Sequence, residues 1–160
     1  EFIKFTRFPE PVFIDNNMNT VIEEVTDLIS QNMVNLGITV NLSLQEDLPL
    51  FNFDTRQFKI VFMNLAQNAI KAMPKGGILE IKAETRNSKI LIIVSDTGAG
   101  IPDKNINKIL IPFFSTSEGG LGLGLSIVHK IIENHHGSIS CTSKVGEGTV
   151  FEIVLPIERV

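Results

Sequence analysis

Three stretches of this sequence hold residues whose types and spacing could do chemistry. The first is a polar line. Asn64, Asn68 and Lys71 recur at i, i+4 and i+7, so they stack along one side of an α-helix. An amide oxygen is a neutral hard ligand of the kind Mg²⁺ accepts, and a lysine ammonium is a point charge for phosphate. Alone, the same residues also describe a solvated helix face. The second stretch is Ser95-Asp96-Thr97-Gly98-Ala99-Gly100-Ile101-Pro102, directly after the apolar run 90–94. A carboxylate at the end of a buried strand is costly unless paired. An aspartate there accepts from an exocyclic amine such as that of adenine and repels the carbonyl of guanine. The glycines let the backbone turn sharply and approach a ligand closely, or make a plain turn. The third stretch, Glu118-Gly119-Gly120-Leu121-Gly122-Leu123-Gly124-Leu125-Ser126, places four glycines within six residues just before a helix. Free backbone N–H groups at the positive end of a helix favour anions such as phosphates; a flexible hinge is the plainer reading. The stretch is neither a P-loop nor a dinucleotide fingerprint, and protein-kinase His-Arg-Asp and Asp-Phe-Gly signatures are absent.

Other reactive residues are quieter. Gly146-Glu147-Gly148-Thr149 reads as a turn. His129, His135 and His136 lie in or at the end of the helix after the glycine-rich stretch, where the helix dipole accounts for them. No His, Cys, Asp or Glu set has metal spacing, and no Ser/His/Asp or Cys/His arrangement is suggested. Cys141, the only cysteine, sits in a strand pattern as a core residue, so no disulfide framework exists.

The elements that must position these residues follow from periodicity. Apolar residues Val21, Val25, Leu28, Ile29 and Val34 mark a helix over 19–36, ended by Gly37. Residues 38–44 alternate as a half-buried strand, and 45–52 connect it onward. Asp54 caps a helix over 55–73, whose Phe58, Val61, Phe62, Leu65, Ala69 and Ala72 form an apolar stripe bordering the polar line. Strands are expected over 78–85 and 90–95 around an Asn87-Ser88 hairpin turn. A long irregular stretch, 96–123, precedes a helix over 124–135 and strands over 138–143 and 148–155. Helices and paired strands mix without strict βαβ alternation. That order predicts a two-layer α/β sandwich of the α+β kind, with helices on one face of a mixed, mainly antiparallel sheet. The chain's 160 residues, 43% hydrophobic and 20% charged with net charge −4, suffice for one domain with a substantial core and argue against disorder. A pI near 5.4 argues against a nucleic-acid-binding face. No run approaches the roughly 18 apolar residues of a membrane span. Phe2, Phe5 and Phe8, followed by Pro9 and Pro11, read as the tail of an upstream helix and a linker.

In this order, these stretches resemble the ATP-binding catalytic domain of sensor histidine kinases, within the superfamily that includes gyrase, heat-shock chaperones and mismatch-repair ATPases. Asn64-Leu-Ala-Gln-Asn68-Ala-Ile-Lys71 is similar to the N box, and Asp96-Thr-Gly-Ala-Gly100 to the first glycine box. Pro112-Phe113-Phe114 is similar to the F box, residues 120–126 to the second glycine box, and Gly146-Glu-Gly-Thr149 to the last. The likeness spans residues 20–157. It implies the left-handed βαβ sandwich called the Bergerat fold, with ATP and Mg²⁺ in a cleft under a mobile lid. Position by position it makes Asn68 the Mg²⁺ ligand, with Asn64 and Lys71 near the phosphates as the rest of the catalytic set. Asp96 would read the adenine amine, Gly98, Gly100 and Ile101 would line the base pocket, and Thr149 would lie near the base. Gly120, Leu121, Gly122, Leu123, Gly124 and Leu125 would wrap the phosphates.

Departures from the family pattern matter as well. Leu110 stands where the F box usually opens with Phe, Ser117 stands where a lysine often follows it, and the lid, 113–120, is short. Superfamily ATPases look as though they use a Glu, one turn before the metal-binding Asn, to activate water. Here that position is Asn64, and an amide is a poor general base. The resemblance therefore implies phosphotransfer rather than hydrolysis: the γ-phosphoryl would pass to a histidine on a helical-hairpin domain absent from this sequence. It also implies a response regulator as partner, a homodimeric full-length protein, and a cytoplasmic domain touching neither membrane nor nucleic acid, whether or not the full protein is membrane-anchored. Residues 1–11 would then end an upstream dimerisation helix and its linker, and 12–160 would be the catalytic domain.

Overall fold

In the computed structural model, residues 8–109 and 124–158 are described. Chain order is β1 (Ile14–Asn16), α1 (Met18–Asn35), β2 (Ile38–Leu44), β3 (Phe51–Phe53), α2 (Thr55–Ala72), β4 (Gly77–Arg86), β5 (Lys89–Asp96), α3 (Asp103–Ile106), α4 (Gly124–Asn134), β6 (Ser138–Lys144) and β7 (Gly148–Pro156). Five strands form the main sheet in the order β2-β4-β5-β7-β6. Only β2 and β4 run parallel; the other three pairings are antiparallel. The sheet is thus mixed and mainly antiparallel, of the class the sequence order predicts.

Local chemistry explains where the elements begin and turn. Asn17 caps α1 by accepting from the Asn19 backbone N–H at 2.8 Å, one position before the expected start. Asp54 caps α2 through the Gln57 N–H at 3.1 Å. Asn87 and Ser88 turn the β4–β5 hairpin with φ of 53° and 62°, the paired left-handed conformation that matches the strands' twist.

The core lies between the sheet and the helices. Leu79, Ile81 and Ala83 of β4, Ile90, Ile92 and Val94 of β5, and Phe151, Ile153 and Leu155 of β7 are buried at alternate positions, as a half-covered sheet requires. Helix α2 packs against both α1 and α4. Five of its six expected stripe residues are buried, while Ala72 at the end is half-buried. The α1 stripe needs correction. Val21, Val25 and Ile29 are buried, but Leu28 and Val34 are 75% and 68% exposed; Met18, Ile22 and Met33 complete the inner face instead. On a 100° wheel Val34 falls nearly opposite that face.

Two short features escaped the sequence reading. Strands β1 and β3 pair antiparallel as a separate ribbon, and α3 interrupts the stretch read as irregular. The ribbon follows a strap of chain fastened to α2. The Gln57 side chain donates to the Pro9 carbonyl at 2.9 Å, and the Val12 N–H donates to Asp54 Oδ2 at 2.8 Å. His135 completes the fastening. It is 3% exposed, its Nε2 accepts from the Asp54 N–H at 3.1 Å, and its Nδ1 lies 2.8 Å from the Ile131 carbonyl. A ring nitrogen that accepts is unprotonated, so His135 is a neutral internal tie and not a charge on the helix dipole. Phe13 and Phe58 meet its ring edge-to-face, at centroid distances of 5.1 and 4.8 Å. Among the described residues no helix is long and apolar enough to cross a membrane.

Candidate functional site

Strand β5 delivers Asp96 to one end of the sheet, between β4 and β7, where register opposes it to Leu79 and Thr149. Its Oδ1 accepts from the Gly98 N–H at 2.8 Å. Burial raises the Asp96 carboxyl above its ordinary value, against the opposing effect of backbone hydrogen bonds from Gly98 and Thr149. Two donated N–H groups hold the carboxylate still without neutralising it.

The glycines after Asp96 serve the protein's own packing. A Cβ on Gly98 would lie 2.5 Å from the Ala72 carbonyl oxygen and 2.6 Å from the Ala72 Cβ. The next residue, Ala99, donates its N–H to that carbonyl at 3.0 Å. Gly100 has φ of +79°, and a Cβ there would run into the Lys144 backbone. Across the loop, Gly146 donates to the Ala99 carbonyl at 2.8 Å, and Ile101 N–H donates to Ser143 Oγ at 2.7 Å. The segment 97–101 is therefore clamped between the end of α2 and the β6–β7 turn, with the Asp96 side chain at its root. The turn read as structural at 146–149 is structural: a Cβ on Gly148 would collide with the Asp96 carbonyl.

Helix α2 brings in the polar line. Asn64 Nδ2 donates to the Ile60 carbonyl at 2.9 Å. Its Oδ1 points at the start of α4, where a Cβ on Gly124 would sit 3.0 Å away. Asn68 is half-buried, and its Nδ2 is a buried polar atom with no hydrogen-bond partner among the described residues. An amide N–H₂ in this state is short of an acceptor such as a phosphate oxygen, whereas a cation would take the amide oxygen. Lys71, in the last turn, is exposed.

Of the residues singled out from sequence, Asp96, Gly98, Gly100, Ile101 and Thr149 are tied together beside the last turn of α2, while Asn68 and Asn64 lie one and two turns further back along α2, with Gly124 against Asn64. Leu125 packs half-buried against the core, and Thr149 is 4% exposed. Gly120, Leu121, Gly122 and Leu123, the F box and the lid lie outside the described residues. Sequence reasoning missed Ser143 and Ala72. Ser143 gives no signal within its alternating strand, because its partners come from two other segments. Cys141, expected in the core, is half-buried and packs against its edge; burial, with the negative charge of Asp96, pushes its thiol up to about 11.

A divalent cation fits this donor set in one way. Among the described residues no group of three or more His, Cys, Asp or Glu side chains could hold a metal. A cation at Asn68 would take its other ligands from phosphate oxygens and water, which is the habit of Mg²⁺.

Comparison with known proteins agrees with the geometry. Residues 53–159 match the family model described as histidine kinase-, DNA gyrase B-, and HSP90-like ATPase. Sporulation kinase C of Bacillus subtilis (strain 168) is 37% identical over 147 residues, which cover 91% of this chain and 34% of that protein. The chain spans about a third or less of the length of the curated relatives it matches. The nucleotide-free catalytic domain of histidine kinase ThkA shares the fold with a TM-score of 0.83 and 33% identity, over 91% of this chain and 96% of that one. ThkA in complex with the response regulator protein TrrA gives a TM-score of 0.84 at 30% identity, over 98% of this chain and 45% of that one.

Proposed function

We infer the function from the family to which this chain belongs, the histidine kinase-, DNA gyrase B- and HSP90-like ATPases. The domain binds Mg²⁺-ATP and donates the γ-phosphoryl group to a histidine on a separate helical-hairpin domain, in two-component signalling. One observation carries this reading: Asp96 is held by a loop packed on Ala72 in the last turn of α2, one turn from Asn68, whose Nδ2 lacks an acceptor among the described residues.

Each residue has a role that its chemistry suits. Asp96 accepts from the adenine amine, while Gly98, Gly100 and Ile101 line the base pocket and Thr149 lies beside it. Asn64 and Lys71 hold the phosphates, and the N–H groups of residues 120–125 wrap them at the positive end of α4. The Asn68 amide oxygen would hold Mg²⁺, which when bound offsets charge on the phosphate oxygens. Asn64 has no basicity to activate water. The nucleophile is then the acceptor imidazole: its nitrogen bonds to the γ-phosphorus as the bond to the β–γ bridging oxygen breaks, and ADP leaves.

The rest of the reading follows from this one. On this proposal residues 1–11 would belong to an upstream dimerisation helix and linker, 12–160 to a catalytic domain that is cytoplasmic, and the full protein would be a homodimer that passes phosphate to a response regulator. ThkA with its bound regulator supports that partner class. Calorimetric titration with ADP, with and without Mg²⁺ and against GDP, tests the site. Adenine-selective binding strengthened by Mg²⁺ is expected, followed by phosphotransfer from ATP to an added hairpin domain. Rapid phosphate release without a hairpin would point to a hydrolase and against this mechanism.

A further inference from the structure

We infer that Ser143 is a positioning residue: it fixes the Thr149 hydroxyl as a pure hydrogen-bond acceptor and so sharpens the choice of base beside Asp96. This rests on the nucleotide reading above and adds a residue that reading does not contain. Asp96, Thr149 and Ser143 form one row across β5, β7 and β6, since register opposes Asp96 to Thr149 and Thr149 to Ser143. Directly opposed residues emerge on the same face of a sheet.

The hydrogen bonds along that row leave one consistent assignment. Ser143 Oγ lies 2.7 Å from the Ile101 nitrogen, 2.9 Å from the Gly148 carbonyl oxygen and 2.8 Å from Thr149 Oγ1. A serine hydroxyl has one proton to donate and two lone pairs. The Ile101 N–H can only donate and the Gly148 carbonyl can only accept. All three contacts are satisfied when Ser143 donates to Gly148 and accepts from both Ile101 and Thr149. The Thr149 proton is thereby committed to Ser143, and only lone pairs remain on Oγ1. Thr149 is 4% exposed, so the face its hydroxyl would offer to a base is small. The ionised Asp96 carboxylate next to it is also acceptor-only. A base edge bearing an amine is matched by such a row; an edge bearing a carbonyl meets acceptors alone and stays unpaired.

Removing the Ser143 hydroxyl frees the Thr149 O–H to turn and donate to a guanine carbonyl. The test is calorimetric affinity for ADP and GDP in the wild-type chain, Ser143→Ala, Thr149→Val and the double variant. Ser143→Ala is expected to lower the ADP-over-GDP preference roughly tenfold. In the Thr149→Val background the same change is expected to leave the preference where it is. Equal loss of both nucleotides in Ser143→Ala, or a fall in preference that persists without the Thr149 hydroxyl, would overturn the assignment and leave Ser143 a strand residue. Should Ser143→Ala not fold, Thr149→Val still decides, because an unchanged preference there removes the hydroxyl from base selection. A wild-type chain that binds ADP no better than GDP would instead sink the adenine reading itself.

Discussion

Asp96 is where burial and recognition pull in opposite directions. Its carboxyl is raised above the ordinary value of 3.8 by burial, so the folded chain keeps the proton to higher pH than the unfolded chain does. The stability this brings is complete below pH 3.8 and is lost as pH rises through the folded value. Ionised Asp96 therefore destabilises the nucleotide-free domain at neutral pH. Asp96→Asn is expected to gain melting temperature relative to wild type as pH is raised from about 4 to 7, and to lose preference for ADP over GDP. A parallel pair of melting curves, or an unmoved preference, would contradict the role given to this carboxylate. Asn68 gives the complementary test. Asn68→Ala is expected to weaken binding of Mg²⁺-ADP more than of metal-free ADP, by roughly tenfold or more; equal losses would place the cation elsewhere.

At the scale of elements, the loop after β5 is held by close approach. Gly98 tolerates no side chain, because Ala72 backbone occupies the space, whereas a methyl on Gly146, with φ of +84°, would meet nothing within 4 Å. Gly98→Ala is expected to lower the unfolding free energy measured with urea by about 1–3 kcal/mol and to weaken ADP binding, since Gly98 N–H holds Asp96. Gly146→Ala is expected to show only the strain of a left-handed alanine, about 1–2 kcal/mol, with ADP affinity kept. The same contrast explains what was legible in the sequence. Helix α2 and the β4–β5 hairpin declare themselves through long apolar periodicity and a two-residue turn. The polar line was legible because helical spacing is itself the geometry that joins Asn64 to Asn68. Strands β1 and β3 are three residues each, too short for a period, and each exists only because the other is beside it. Leu28 and Val34 misled because an apolar residue need not face the core. Ser143 and the Ala72 carbonyl stayed hidden because their roles arise from pairings between distant segments.

For the whole molecule, the decisive group is His135, read from sequence as a helix-end residue and found as an internal tie. It joins α4 to the cap of α2, and that cap in turn holds the strap at Val12. His135→Ala is expected to destabilise the domain by about 2–4 kcal/mol and to make residues 8–16 a site of early proteolytic cleavage. Urea unfolding and timed digestion read the two effects separately; a stability loss without faster cleavage would mean that Asp54 and Gln57 secure the strap without His135. The tie also has a mechanical side. Helix α4, with its 11 residues, is a rod about 16 Å long. One end is bolted to the strap, and the other begins beside Asn64. Residues 9–13 and the place where the phosphates would lie are thus joined through one stiff element and not through surface loops alone.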